Sequence, residues 1–251
     1  MIHNLHHSGF SDVGLVRKNN QDCFDVSPEL GLVVVADGMG GHKGGEVASS
    51  VAVKGMIESL SLQQWDDSHD EMQMLLNIGA SVEFANNKIR EEAARRPELA
   101  GMGTTIVVAM FRLGRAFIAH VGDSRIYRFR DGKLEQLTRD HSLIQKLLDN
   151  GTFVSIEEAE AAGIGSNVLT RGLGIEDQVD VDVADVVLEA GDLFLFCTDG
   201  LTNMLTDKDI EKSLNHYRND LDAAGERLIL AALSAGGTDN VTLVLAEAEL
   251  A

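Results

Sequence analysis

The chain has 251 residues, 40 acidic against 21 basic, for a net charge of −19, and 44% of it is hydrophobic. That apolar share excludes a disordered chain, and the acidic balance excludes nucleic acid and anionic membrane as general partners. The length, only two prolines and the lack of a Ser/Gly/Pro-rich stretch predict one domain spanning 1–251 and no linker.

In chain order, the first ten residues, MIHNLHHSGF, read as a frayed end carrying His3, His6 and His7. LVVVA (32–36) is a short β-branched run and predicts a strand. The glycine-rich stretch 37–46 then leads into a helix over 44–60, with Val47, Ala48 and Val51 on one side. A second helix is predicted over 68–95: Ser68 and Glu71 have capping-box spacing, and Leu75, Ile78, Val82, Ala85 and Ile89 form one apolar face. TTIVVAM (104–110) and AFIAHV (116–121) predict two more strands. Residues 126–138 predict a hairpin turning at Asp131-Gly132. Asp140 is placed to cap a helix reaching about 149. DLFLFCT (192–198) is a strand, Thr206 and Asp209 can cap a helix, another helix follows at 221–234, and NVTLVLA (240–246) is the last strand. Runs that are apolar throughout must be covered on both faces, so the expected class is layered α+β with helices outside packed sheets.

Cys23 and Cys197 form no CxxC pair, which fits a reducing compartment. The N-terminus lacks the pattern of a signal peptide and no run approaches 18 apolar residues, so a soluble cytoplasmic protein is expected.

The aspartates at the ends of the buried runs carry the functional signal. Asp37 follows LVVVA, Asp123 follows AFIAHVG, Asp199 follows LFLFCT, and Asp239 precedes NVTLVLA. Any one of them beside glycine reads as a turn former. Four at strand ends can meet at one sheet edge, where they repel one another unless a cation intervenes. Carboxylates with few Cys or His nearby suit a hard divalent ion, Mg²⁺ or Mn²⁺. A two-carboxylate glycosidase pair is the other outcome of this pattern, but only 5% of the chain is aromatic and Trp65 is the single tryptophan available as a sugar platform. The loop DGMGGHKGGE (37–46) matches neither GxxxxGK[ST] nor GxGxxG, since Lys43 stands at the third glycine's place. Its glycines suit close backbone approach, for example of the Gly38 carbonyl to a metal.

SDVGLVRKNNQD (11–22), VVVADGMGGHKGGEVAS (33–49), GMGTTIVV (101–108), AHVGDSRIYRFRDGKL (119–134), DHSL (140–143), LTRGLG (169–174), LFCTDGLTNML (195–205) and GGTDNVTLVLA (236–246) follow one another in a specific order. In that order they resemble the metal-dependent Ser/Thr protein phosphatases of the PPM (type 2C) family in its compact bacterial form, over nearly the whole chain. The resemblance implies a four-layer α-β-β-α sandwich of two mainly antiparallel sheets flanked by helices. It implies hydrolysis of phosphoserine and phosphothreonine by a water between two Mn²⁺ or Mg²⁺ ions about 4 Å apart, opposite a cognate Ser/Thr kinase, in a monomer. Asp37 matches the acid bridging the two ions and Gly38 the carbonyl on one of them; Asp199 and Asp239 match the acids on the other. Asp22 matches the acid that holds metal-bound water, Asp123 the acid that shares a third ion with Asp199, and Arg17 the arginine that grips the phosphate. Gln21 stands where many eukaryotic members carry glutamate, and Met39 where many carry a proton-donating histidine. His42 is then the nearest candidate acid for the leaving alkoxide, whereas His120, inside an apolar strand, reads as a satisfied core histidine. Residues 151–168 fall where the family carries a mobile flap, with Ser155 and Glu158 placed to cap a short helix. Two other functions fit parts of this pattern: a metal-binding scaffold of weak activity, which the full set of acids and Arg17 disfavours, and a small-molecule phosphomonoesterase.

Overall fold

A computed structural model describes residues 2–40, 43–63, 65, 70–165 and 168–250. Two antiparallel sheets are stacked between two layers of helices, as expected. The five-stranded sheet has the order β1 (Ile2–Asp12), β11 (Val241–Leu250), β10 (Leu193–Cys197), β7 (Arg125–Arg130), β8 (Lys133–Gln136). The six-stranded sheet runs β2 (Asp22–Ser27), β3 (Leu32–Met39), β5 (Ile106–Arg112), β6 (Arg115–Val121), β9 (Asp182–Val187), with the short β4 (Gly103–Thr104) paired to the end of β3.

The alternation of side chains along each strand divides the core into three slabs. Val33 and Val35 of β3 face Phe194, Phe196 and Val244 of the other sheet. Their neighbours Leu32, Val34 and Ala36 point the other way, against α1 (Gly44–Ser61) and α2 (Glu71–Arg95). On the far side, Leu193, Leu195, Leu243 and Leu245 pack against α5 (Asp199–Thr202), α6 (Asp207–His216) and α7 (Leu221–Ser234). Burial on both faces is why these strands read as unbroken apolar runs. Between β8 and β9 the chain makes an excursion that carries α3 (Leu143–Asp149) and α4 (Ile156–Ala161). Ser155 caps α4 by accepting from the Glu158 N–H, as its spacing to Glu158 predicts.

The hairpin turn has Asp131 and Gly132 at φ +49° and +77°, the two positive values of a two-residue β-hairpin loop. Thr206 and Asp209 form the expected capping box of α6. Four expectations are corrected. The N-terminus is not frayed: β1 pairs along β11 in register, Leu5 opposite Ala248 and Asp12 opposite Val241. Ser68 lies outside the described residues, and the cap of α2 is Asp70, which accepts from the Gln73 N–H. The run 104–110 is two strands, interrupted at Thr105, whose hydroxyl and N–H are taken by Asp37. Ser142, not Asp140, caps α3, because Asp140 is held by both arms of the Arg125 guanidinium. No helix among the described residues is long and apolar enough to cross a membrane.

Candidate metal centre

The sheets bring the strand-end aspartates to one rim. Asp22 and Asp37 are direct partners across β2 and β3. Asp199 opens α5 two residues after the end of β10, Asp239 lies two residues before the start of β11, and Asp123 lies in the turn between β6 and β7. A cavity of about 230 Å³ at that rim is lined by Asp37, Gly38, Asp123, Asp199, Asp239 and Arg17. Asp22 stands behind this lining and accepts a hydrogen bond from the Thr198 hydroxyl at 3.0 Å. His42 lies outside the described residues.

The backbone holding these groups is tightly tied. The Asp37 N–H donates to Thr105 Oγ1 at 3.0 Å, and Thr104 Oγ1 donates to the Asp37 carbonyl at 2.8 Å. Thr105 Oγ1 in turn meets Ser124 Oγ at 2.7 Å, which joins the turn carrying Asp123 to the strand end carrying Asp37. Asn240 clamps the loop that bears Arg17: its Nδ2 donates to the carbonyls of Val13 and Asn19 at 2.9 and 3.0 Å, and its Oδ1 accepts from the Gln21 N–H at 2.8 Å. The glycines of 37–46 allow close approach, as their composition suggested. A Cβ on Gly38 would lie 2.0 Å from the Gly45 carbonyl, and one on Gly45 would lie 2.5 Å from the Gly38 carbonyl.

The electrostatics are those of a site short of positive charge. Arg17 NH2 reaches Asp239 Oδ2 at 2.7 Å, the single ion pair within the lining among the described residues. Burial, with the repulsion of Asp199 and Asp239 added, pushes Asp22 up to about 7. Burial and the charge of Asp199 do the same to Asp123, again to about 7. Asp37 and Asp199 are likewise raised, first by desolvation and then by neighbouring carboxylates. Asp22 Oδ1 and Asp199 Oδ1 are buried without a hydrogen-bond partner. An orphaned carboxylate oxygen is costly, and two of them among crowded acids fit a hard divalent cation, which takes oxygen ligands. The donor set therefore suits Mg²⁺ or Mn²⁺.

A neighbouring cluster escaped the sequence reading. His120 is buried and its Nε2 faces the Arg139 carbonyl at 2.8 Å, as a core histidine would, but its ring also stacks on His141, with centroids 4.6 Å apart. His141 brackets the residue before Asp123: its Nδ1 accepts from the Gly122 N–H at 3.2 Å and its own N–H donates to the Gly122 carbonyl at 2.9 Å. Asp182 is 3.4 Å from His141 Nε2 and pairs with Arg171 at 2.7 Å. The adjacent Asp140-His141 within DHSL was the available signal; its meaning needed the β6–β7 turn to be placed beside it.

Residues 16–234 match the profile of the protein phosphatase 2C family. The serine/threonine phosphatase stp of Listeria monocytogenes is 36% identical over 98% of this chain and 97% of its own length. The chain belongs to the protein phosphatase 2C family. Among solved members of the family, the serine/threonine phosphatase PstP/Ppp of Mycobacterium tuberculosis is similar at a TM-score of 0.87 and 35% identity, over 98% of this chain and all of that one. The catalytic domain of PstP in complex with two manganese ions is similar at 0.85 and 35% identity, covering 98% of each chain. The layered fold of this chain is thus the family's fold, and a phosphatase 2C relative of closely similar structure holds divalent metal.

Proposed function

We propose that the protein is a metal-dependent phosphatase that removes phosphate from serine and threonine residues of proteins. The observation that carries this reading is the convergence of Asp37, Asp123, Asp199 and Asp239 with Arg17 on one open cavity, with buried carboxylate oxygens left unpartnered beside it. In this reading Asp37, the Gly38 carbonyl, Asp199 and Asp239 hold two divalent ions, Asp22 orders water behind them, and Asp123 shares a third ion with Asp199. Bound divalent cations supply the charge that offsets the phosphate and lowers the pKa of water at the site.

The chain's own groups do the rest. Arg17 is half exposed, and its planar fork can grip two phosphate oxygens, a move that frees Asp239 for a cation. The Thr105–Ser124 contact holds the two carboxylate-bearing strand ends at a fixed separation, so the site is arranged before substrate arrives. Met39 has no proton to give, and His42 is assigned the protonation of the leaving serine or threonine oxygen. The same reading covers a single domain with 151–168 as its flap, a monomer in the cytoplasm, and a Ser/Thr kinase as the source of its substrates.

Turnover of a phosphothreonine peptide and of p-nitrophenyl phosphate is expected to need added Mn²⁺ or Mg²⁺ and to vanish with EDTA. Full activity after chelation would refute the metal centre, and a strong preference for sugar phosphates over phosphopeptides would favour the small-molecule phosphomonoesterase. Within the active enzyme, His42→Ala should slow alkyl phosphates and spare p-nitrophenyl phosphate, whose leaving group needs little protonation.

A further inference from the structure

The catalytic cavity continues beyond its carboxylates. Met39 and Leu169 belong to its wall and also to the wall of a second cavity of about 460 Å³, formed by the segment 169–180. Met39 directly follows Gly38, so this groove begins one Cα–Cα step, about 3.8 Å, from the catalytic lining. A residue next to the phosphorylated one lies the same step away along a peptide, and each further residue adds about 3.3–3.6 Å. The groove is therefore within reach of the first or second flanking residue. Its volume lies within the range of about 300–1,000 Å³ typical of ligand pockets.

The lining has two chemical parts. One is apolar: the Met39 side chain lies over Gly172, where an added Cβ would meet its Cε at 2.5 Å, and Ile175 lies over Gly103 while remaining 53% exposed. The other part is charged and acidic in balance. Arg171 is the cation of the groove, but Asp180 holds it at 2.8 Å and Asp182 at 2.7 Å. The exposed Glu176 carboxylate has no ion-pair partner among the described residues. An apolar wall beside an unanswered carboxylate matches a side chain with an aliphatic stem and a cationic end, which can cover the wall and keep its charge at the rim.

We propose that this groove is a specificity subsite for a lysine or arginine one or two positions from the phosphorylated residue, with Glu176 as its selecting charge. This rests on the protein-phosphatase reading above and names the kind of substrate that site accepts.

The test is kcat/KM on phosphothreonine peptides in which each of the two positions on either side carries lysine, norleucine or glutamate, with the full chain and saturating Mn²⁺. At one position lysine should exceed glutamate by about tenfold, the sum of an attraction and a repulsion each of surface-pair size. Norleucine, which keeps the stem without the charge, should fall between. Glu176→Lys should reverse the order at that position and leave p-nitrophenyl phosphate turnover unchanged, since Glu176 is outside the catalytic lining. Ile175→Ser should remove the advantage of norleucine over glutamate while keeping part of that of lysine. Equal rates for lysine and glutamate at every position would overturn the subsite. So would a lysine preference that is uniform along the peptide and survives Glu176→Lys, because that is the diffuse field of a chain with net charge −19. Turnover of p-nitrophenyl phosphate with none of any phosphopeptide would refute the protein-phosphatase reading itself and the subsite with it.

Discussion

Two sets of carboxylates in this chain meet opposite electrostatic conditions. Away from the cavity, buried and half-buried acids are answered by arginines. Asp140 accepts from Arg125 at 2.7 and 3.0 Å, Asp192 from Arg130 through two contacts at 2.6 Å, and Asp185 from Arg115. Asp182 shows the result: although burial raises it, the hydrogen bonds from Arg171 and His141 hold it below the ordinary carboxylate range. At the rim the same residue type is placed at five strand ends with one exposed arginine between them, and Asp22, Asp37, Asp123 and Asp199 are all pushed up. Where an acid serves the fold, the chain supplies its cation. Where acids are left unanswered at the mouth of a cavity, the cation comes from solution.

The largest expected effect separates the two sets directly. Asp37→Asn should lower kcat by about 10³-fold or more, the scale of dismantling an electrostatic site. The metal-free variant should melt higher than metal-free wild type, because a repelling charge is gone. Asp192→Ala should do the reverse, keeping kcat within a few-fold and costing about 1–3 kcal/mol, because the Glu189 N–H loses its acceptor and Arg130 keeps only Glu189 and the Val187 carbonyl. Calorimetric melting beside steady-state kinetics checks both. A metal-free Asp37→Asn protein that melts lower than wild type would erase the contrast.

A smaller effect is expected within the rim. Asp123 is tied to Asp37 through Ser124 and Thr105, and its removal leaves Asp37, Asp199 and Asp239 in place. Asp123→Ala should keep two tightly bound ions in titration calorimetry and slow phosphopeptide turnover by about tenfold, an effect smaller than losing a core electrostatic group. Loss of all metal binding would move Asp123 into the core pair. Unchanged kinetics would make it a turn residue.

Most of this contrast could be read from the sequence, and the part that could not has a physical reason. Asp37, Asp123, Asp199 and Asp239 were legible because each abuts an apolar run long enough to mark a buried strand. The strands β2 and β9 were not, because DCFDVS and DVADVV carry acids on edge strands that are half-exposed or exposed along most of their length. β1 hid behind its histidines, since a strand at a sheet edge needs apolar residues on only one face. The division at Thr105 could not be seen either: TTIVV reads as continuous, and the break exists because Thr105 turns its hydroxyl to Asp37 and Ser124. Asn240 and His141 act on backbone groups distant in sequence, so no local pattern exposes them.

The metal-free protein should also register the rim in its pH dependence. Asp22 and Asp123 have folded values near 7, above the unfolded value of about 3.9. Their contribution to stability is therefore fully present below about pH 4 and is lost as pH rises through 7. His120 and His141 are lowered by burial, so their contribution is lost in the other direction, as pH falls below about 6.5. Between pH 6.5 and 8 the opposing histidine contribution fades and the carboxylates set the sign of the slope, so the Tm of the metal-free chain should fall by a few degrees. Saturating Mn²⁺ should abolish that fall. A metal-free Tm that rises across this window would mean that the rim acids are ionised without cost.

The smallest effect concerns the junction of the two sets, where His141 lies between the balanced Asp182 and the turn of the unbalanced Asp123. Its Nδ1 accepts the Gly122 N–H, while its Nε2 lies between Arg171 NH1 at 3.1 Å and Asp182 at 3.4 Å. His141→Ala would leave the buried Gly122 N–H without an acceptor, at a cost of about 1–3 kcal/mol. Asparagine can place its amide oxygen near the position of Nδ1, whereas glutamine reaches only toward Nε2. His141→Asn should therefore recover part of the stability that His141→Ala loses, and His141→Gln should recover less. Because Gly122 precedes Asp123, the affinity of the weakest-bound ion should follow the same order while the two tight ions are unaffected, with a change in rate of only a few-fold. Stability and ion titration together decide it. If asparagine and glutamine rescue equally, the contact to Gly122 is not what His141 contributes, and the balanced and unbalanced acids of this protein are independent of one another.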